Sequence, residues 1–184
     1  MMFENIKSDY FRVTEKNYSP FSVVWLAFIC SGFRAVLLYR IGYALRVKKW
    51  LVLAAVIERI MHHASHCWIS TAAKIDKGFL VAHVGGIVIG GSVKIGRNCD
   101  IRQNVTLGGN FNRRTEDGST QPVLGDNISL GVGAVVVGPV TIGSNTIVGA
   151  NSVVTRDIPP NSIVSGIPAR VIKEKWTAGE GRCL

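Results

Sequence analysis

From Ile69 onward an aliphatic residue falls at every sixth position, in three series: Ile69, Ile75, Val81, Ile87; then Ile89, Ile95, Ile101, Leu107; then Leu124, Leu130, Val136, Ile142, Val148, Val154. In the later series a small residue usually follows, as at Gly90, Gly96, Gly108, Gly125, Gly131, Gly143 and Gly149. A six-residue period means one short strand and one corner per repeat, with the aliphatic side chain pointing inward. Three such faces make one coil of a triangular prism. Because each coil buries its aliphatic stack only against its neighbours, the unit needs several coils and a cap at either end. The pattern therefore predicts a mainly β chain, a parallel β-helix over residues 67–160 with a helical region before it and a cap and tail at 161–184. The second series is displaced from the first by two residues, and the third follows the second after seventeen residues instead of six. The polar stretch from Asn110 to Gln121 fills that interval and predicts a protruding loop.

Residues 1–66 read differently. The first eighteen are polar and mixed, Pro20 introduces an apolar run from Phe21 to Phe33, and Phe33, Leu37, Ile41, Ala44 and Leu45 recur at helical spacing. Leu51 to Met61 reads as another apolar helix, closed by His62 and His63. The run from Phe21 would span roughly 20 Å as a helix, short of the roughly 30 Å hydrocarbon core of a bilayer, and Arg34 ends it.

Composition adds a bounded amount. An apolar content of 47% supports a substantial core. The net charge of +9 is concentrated early, with nine Lys or Arg against four acids in residues 1–66; it suits an anionic membrane surface or phosphorylated ligands, and no nucleic-acid partner is expected. The cysteines Cys30, Cys67, Cys99 and Cys183 form no CxxC pair and have no histidines at zinc-site spacing, so they read as reduced thiols in a cytoplasmic protein, with no metal expected. Acidic and polar residues (Glu4, Lys7, Asp9) occupy the start of the chain, where a signal peptide would lead into an apolar run.

A regular coil is scaffold, and chemistry has to come from its interruptions. His62, His63 and His66 cluster at the end of the helical region and read as a solvated helix end. His83 stands apart in the glycine-flanked stretch Ala82-His83-Val84-Gly85-Gly86, close to the first displacement of register. A general base acting on a hydroxyl needs a near-neutral side chain with access to substrate, and a histidine on a coil corner meets both needs.

Here the sequence resembles a known family. Ala73-Lys74-Ile75-Asp76-Lys77-Gly78, His83, Gly85-Gly86-Ile87-Val88-Ile89-Gly90 and Gln103-Asn104-Val105-Thr106-Leu107-Gly108-Gly109 look like the serine acetyltransferase branch of the hexapeptide-repeat acyltransferases. The closing Gly166-Ile167-Pro168-Ala169-Arg170-Val171-Ile172 and the earlier Tyr39-Arg40-Ile41-Gly42 match as well, so the resemblance covers about residues 20–173. It implies a left-handed parallel β-helix, an exception to the usual right-handed crossover. It also implies a homotrimer, or a dimer of trimers, with active sites in clefts between subunits, and acetyl-CoA as co-substrate. By the same resemblance His83 is the base that deprotonates the acceptor hydroxyl and returns the proton to the CoA thiolate. Backbone N–H groups near Gly108 and Gly109 hold the oxyanion; Gly109, Gly131, Val132 and Ala150 line the CoA groove, and Arg170 lies near the CoA phosphates.

Three departures bear on the acceptor. The positions matching the family's orienting carboxylate, its second aspartate and its loop Arg-His hold Trp68, Ala82 and Thr120-Gln121. A zwitterionic acceptor would have little to pair with, and burying its charges unpaired costs several kcal/mol. The expectation that follows is an O-acetyltransferase acting on a saccharide hydroxyl, with serine O-acetylation as the alternative and N-acetylation of an amino sugar behind it. Trp68 would stack on a sugar face or sit in the core; Gln103 would contact substrate. A backbone carbonyl, or Glu116 or Asp117 from the loop of an adjacent subunit, would orient His83. The apolar, basic helices would either lie on a membrane surface or pack between trimers. A zinc-dependent carbonic anhydrase is disfavoured because only His83 lies in the repeat, and a purely structural coil would need neither that histidine nor the closing motif.

Overall fold

The computed structural model describes residues 2–110, 114 and 118–174; Glu116, Asp117 and Cys183, named above, lie outside them. Four helices come first: α1 (Met2–Thr14), α2 (Pro20–Ile29), α3 (Ser31–Val47) and α4 (Leu51–Ser65). The polar opening is thus helical, its Ile6 and Tyr10 packing with Val23 and Phe33 in a small core of their own. The apolar run from Phe21 is not one helix, because the backbone turns extended at Cys30 and bends by 120° between α2 and α3. Pro20 opens α2 behind a reciprocal Ser19–Ser22 cap, which satisfies two amide donors at the helix start.

Short parallel strands follow: β1 (Cys67–Ile69), β2 (Lys74–Ile75), β3 (Leu80–Val81), β4 (Ile87–Ile89), β5 (Lys94–Ile95), β6 (Asp100–Ile101), β7 (Thr106–Gly108), β8 (Val123–Leu124) and β9 (Ser129–Leu130). After them come β10 (Val135–Val137), β11 (Thr141–Ile142), β12 (Ile147–Val148), β13 (Val153–Val154), β14 (Ser162–Gly166) and β15 (Ala169–Glu174). They stack into the three faces of a left-handed parallel β-helix. Face A is β1-β4-β7-β10-β13, face B is β2-β5-β8-β11, and face C is β3-β6-β9-β12-β14, closed by the antiparallel β15. The parallel coil runs through β14, beyond the expected residue 160, and its end is shielded where the chain folds back as β15.

Every aliphatic residue of the six-residue series is buried. A second inward row accompanies it, in which Cys67 and Cys99 take the places of aliphatic residues. Burial pushes the Cys99 thiol up to about 11 and raises that of Cys67. Iodoacetamide is therefore expected to label neither in the native protein and both after unfolding in denaturant, as read by peptide mass mapping; rapid native labelling of Cys99 would place it outside the core.

The corner between faces B and C is held by an asparagine ladder. Asn98, Asn127, Asn145 and Asn161 all lie at φ of 56 to 60°, the left-handed region that asparagine tolerates better than most residues. The side-chain amide of Asn127 donates to Asn145 at 2.9 Å, and that of Asn145 to Asn161 at 3.0 Å. Asn145→Ala is expected to cost about 2 kcal/mol through backbone strain and lost ladder bonds, and Asn145→Gly less, by chemical denaturation.

A buried ion pair joins the helices to the coil. Arg40 and Asp9, 2% and 1% exposed, pair at 2.8 Å. Arg40 also donates to the carbonyls of Ile75 and Asp76, and Asp9 accepts the N–H of Phe79. Beside them the Tyr39 hydroxyl donates to Ala73 O and accepts from Ile75 N. Face C meets α3 at Gly32, where an added Cβ would lie 2.0 Å from the Val81 carbonyl oxygen.

Candidate active site

The two breaks in the hexapeptide rhythm have measurable sizes. Ile69 pairs with Ile89, Ile89 with Leu107, Leu107 with Val136 and Val136 with Val154, so successive coils hold 20, 18, 29 and 18 residues. The first exceeds the regular coil by two residues, inserted at the corner from β3 to β4, and that corner carries His83. Gly85 and Gly86, at φ of 107° and 64°, let the longer corner turn. The Gly86 N–H donates to His66 O and Gly85 O accepts from Asn104 N, which ties the corner between α4 and the second coil. Val84 packs toward the core, while His83 is exposed. Its ring has no hydrogen-bond partner among the described residues, so the expected backbone carbonyl is not found within this set.

Strand register gathers several predicted residues on the edge between faces C and A. Val81, Ile101, Leu130 and Val148 are successive partners on face C. Gln103, Val132 and Ala150 each lie two residues beyond one of the last three and form one column climbing the coil. Asn104 N donates to Gly85 O, so Gly85 is the matching position of the first coil and His83 stands on the inserted residues just before it. Backbone bonds stitch this column: Gly133 N donates to Gln103 O at 3.0 Å and Asn151 N to Val132 O at 2.8 Å. The Gln103 side-chain oxygen is buried without a hydrogen-bond partner among the described residues. Gly131 is buried beneath the same edge, its amide spent on Val148 O, and a Cβ there would lie 2.6 Å from Ala150 N. It shapes the corner from below, and Val132 and Ala150 present surface above it. Ser152 Oγ accepts the Gly166 N–H, which brings the β14–β15 turn to the top of this edge, with exposed Arg170 directly after it.

Gly108 and Gly109 lie elsewhere. Gly108 ends β7 and Gly109 follows it on the opposite edge of face A, at the root of the eleven-residue insertion, where Asn110 N donates to Thr120 O. Within one chain, the width of face A separates them from the His83 edge.

Trp68 is neither core nor free. It points outward from the first strand of face A, 56% exposed, and its indole N–H donates to Glu58 Oε1 at 2.9 Å. Glu58 Oε2 accepts the Thr71 N–H and hydroxyl at 3.0 Å each. Trp68 and Glu58 line a cleft of about 360 Å³ with Arg46, Arg59, His62 and Ser70. Position-by-position reading missed Glu58 because it comes from α4 rather than from the coil. The available signal was its isolation, since no other carboxylate occurs between Glu15 and Asp76.

A coil of hexapeptides with a histidine lifted onto an inserted corner defines a hexapeptide-repeat acyltransferase, and residues 121–156 match the family described as bacterial transferase hexapeptide (six repeats). The serine acetyltransferase of Bacillus licheniformis is 35% identical over 172 residues, 94% of this chain and 78% of that one. The Neisseria gonorrhoeae serine acetyltransferase in complex with serine superposes with a TM-score of 0.79 at 31% identity, covering 92% of this chain and 68% of that one. The Brucella abortus serine acetyltransferase in complex with coenzyme A gives 0.82 at 25%, covering 95% and 68%. The chain belongs to the serine acetyltransferase family and is an acetyltransferase.

That kinship overturns the saccharide acceptor expected from Trp68, Ala82 and Thr120-Gln121. The expectation equated the loss of charge at three positions with the loss of charge from the site. Glu58 supplies a carboxylate against Trp68 from another element, and Arg46 and Arg59 bring guanidinium groups to the same cleft.

Proposed function

We propose that this protein is a serine O-acetyltransferase that uses acetyl-CoA. The observation that carries the reading is the exposed His83 on its two-residue insertion, at the foot of an edge formed with Gln103, Val132 and Ala150, in a chain 35% identical to a serine acetyltransferase over nearly its whole length. The imidazole takes the proton of the serine hydroxyl as the oxygen attacks the thioester carbonyl. The tetrahedral intermediate then collapses, the C–S bond breaks, and the imidazolium returns its proton to the CoA thiolate. The products are O-acetylserine and coenzyme A.

The donor lies along the edge above His83, with its pantetheine arm against Val132 and Ala150 and its phosphates toward Arg170. A pantetheine amide N–H would satisfy the unpaired oxygen of Gln103, which otherwise costs about 1–3 kcal/mol. A zwitterionic acceptor asks for both signs of charge, and the cleft beside Trp68 offers Glu58 together with Arg46 and Arg59. Three copies complete the site when the Gly108–Gly109 edge of one meets the His83 edge of the next. That arrangement brings oxyanion donors to the base and is favoured by the separation of the two edges within one chain. Acetyl-CoA as donor sets the reaction in the cytoplasm.

Steady-state CoA release with and without L-serine tests the proposal. Release that rises at least about tenfold with serine and yields O-acetylserine is expected; release indifferent to serine would overturn it.

A further inference from the structure

The helical region presents an unusual surface. All ten residues of α2 are uncharged, yet only Val23 is buried. Phe21 is 89% exposed and Phe28 79%, and Val24, Trp25 and Ile29 stand out beside them. The first half of α4 repeats the feature with Leu51, Val52 and Leu53, flanked by exposed Trp50 and Val47. Arg34 ties the end of α2 to the far end of α4, its guanidinium donating to the carbonyls of Ala27 and Phe28 and of Ala64, so the exposed start of α4 lies at the other end of that helix. Isolated apolar side chains on a surface are ordinary, but a run from Trp50 to Leu53 beside exposed Val47 marks a surface that something covers.

Along the chain, the residues leading into the start of α4 carry charge of one sign. From Lys16 to Ile57 the chain contains Lys16, Arg34, Arg40, Arg46, Lys48 and Lys49 and no carboxylate. Arg40 is spent on Asp9 and Arg34 on backbone carbonyls, which leaves Arg46, Lys48 and Lys49 exposed beside Trp50 and Leu51. The Lys48 ammonium lies 5.9 Å from the Trp50 ring centre. A second copy of the chain is a poor occupant, because a self-complementary contact would set this cationic border against another with no carboxylate from the same stretch to pair with it. Spanning a bilayer is also unsuited to these helices. None is long and apolar enough to cross one, and α3, which completes the bent pair with α2, is docked on the coil through Gly32, Tyr39 and Arg40.

We propose that the start of α4 seats the protein on an anionic phospholipid surface, with Trp50, Leu51 and Val52 entering the headgroup region and Lys48 and Lys49 pairing with lipid phosphates. An exposed aromatic and aliphatic run beside a basic cluster is the chemistry of reversible interfacial binding, in which apolar burial and electrostatic attraction combine. The inference is independent of the acceptor assignment.

Flotation of the purified full chain with vesicles of phosphatidylcholine alone, or mixed with phosphatidylglycerol, tests it without any variant. Partition onto the anionic vesicles is expected to exceed that onto the neutral ones by about tenfold or more and to weaken in high salt. Lys48→Glu with Lys49→Glu, and separately Trp50→Ser with Leu51→Ser and Val52→Ser, are each expected to reduce the partition on the order of tenfold. Both variants should retain serine-dependent CoA release as a check of the fold. No flotation with either vesicle, or equal flotation with both, would overturn the proposal. So would sedimentation velocity showing that the same substitutions split a larger assembly while lipid binding is absent, since the occupant would then be another copy.

Discussion

Replacing His83 with alanine is expected to lower serine-dependent CoA release by about 10²- to 10⁴-fold, the span that a positioned general base contributes. The loss should fall on kcat, with KM for acetyl-CoA changed little, because the donor contacts proposed for the edge above the corner are separate from the imidazole. His83→Asn keeps a polar side chain of comparable reach and should be nearly as impaired, since its amide cannot accept a proton near neutral pH. The corner is exposed and tied by the backbone bonds of Gly85 and Gly86, so the thermal midpoint should move by only a degree or two. Turnover that survives in either variant would remove His83 from the chemistry and leave the coil as scaffold.

The largest expected effect on stability is at Arg40. Truncation to alanine removes both bonds to Asp9 and both bonds to the carbonyls of Ile75 and Asp76. It leaves the Asp9 carboxylate buried with backbone amides, those of Phe79 and Gly78, in place of the guanidinium. Even with Arg40 present, burial outweighs the guanidinium and holds the Asp9 carboxyl above its ordinary value, so the uncompensated charge is costly. Breaking such a pair from one side typically costs about 3–5 kcal/mol, and each kcal/mol moves the midpoint of a domain of this size by about 2–4 °C. A fall of roughly 10 °C in thermal unfolding is therefore expected for Arg40→Ala. Asp9→Leu combined with Arg40→Met should cost less than Arg40→Ala alone, because no charge is left stranded. A loss below about 1 kcal/mol would show that the helices hold to the coil by other means.

The coil was readable because its signal is periodic and redundant. Each inward aliphatic between Ile69 and Val154 repeats the same six-residue statement, and a wrong reading at one position is corrected by its neighbours above and below. The corner of His83 was readable for the complementary reason, as a departure from a regular rule. The helices were harder. The amphipathic α1 is diluted by polar residues, and nothing in its pattern shows that Asp9 is the partner of Arg40 thirty-one residues later. The cleft at Trp68 was misread for a physical reason. Side chains from different elements can place charge at the same point in space, so the absence of a carboxylate at one position of the coil does not leave the cleft without one, because Glu58 enters it from α4. In the same way, the family resemblance assigned the oxyanion to amides near Gly108 and Gly109, and only strand register shows that within one chain a whole face separates them from His83.

Because the coils beyond the insertions return to 18 residues each, the protein behaves as a ruler graduated in whole turns. Stacked strands are separated by about 4.8 Å, so the distance from the His83 corner to the terminal hairpin that carries Arg170 can take only stepped values. Removing the turn between Val136 and Val154 would bring the hairpin about 4.8 Å nearer without rotating it off the edge, and adding one would move it away by the same step. A molecule stretched between those two points is therefore gauged by a count of repeats, and point substitutions in the coil can roughen the scale without changing its length.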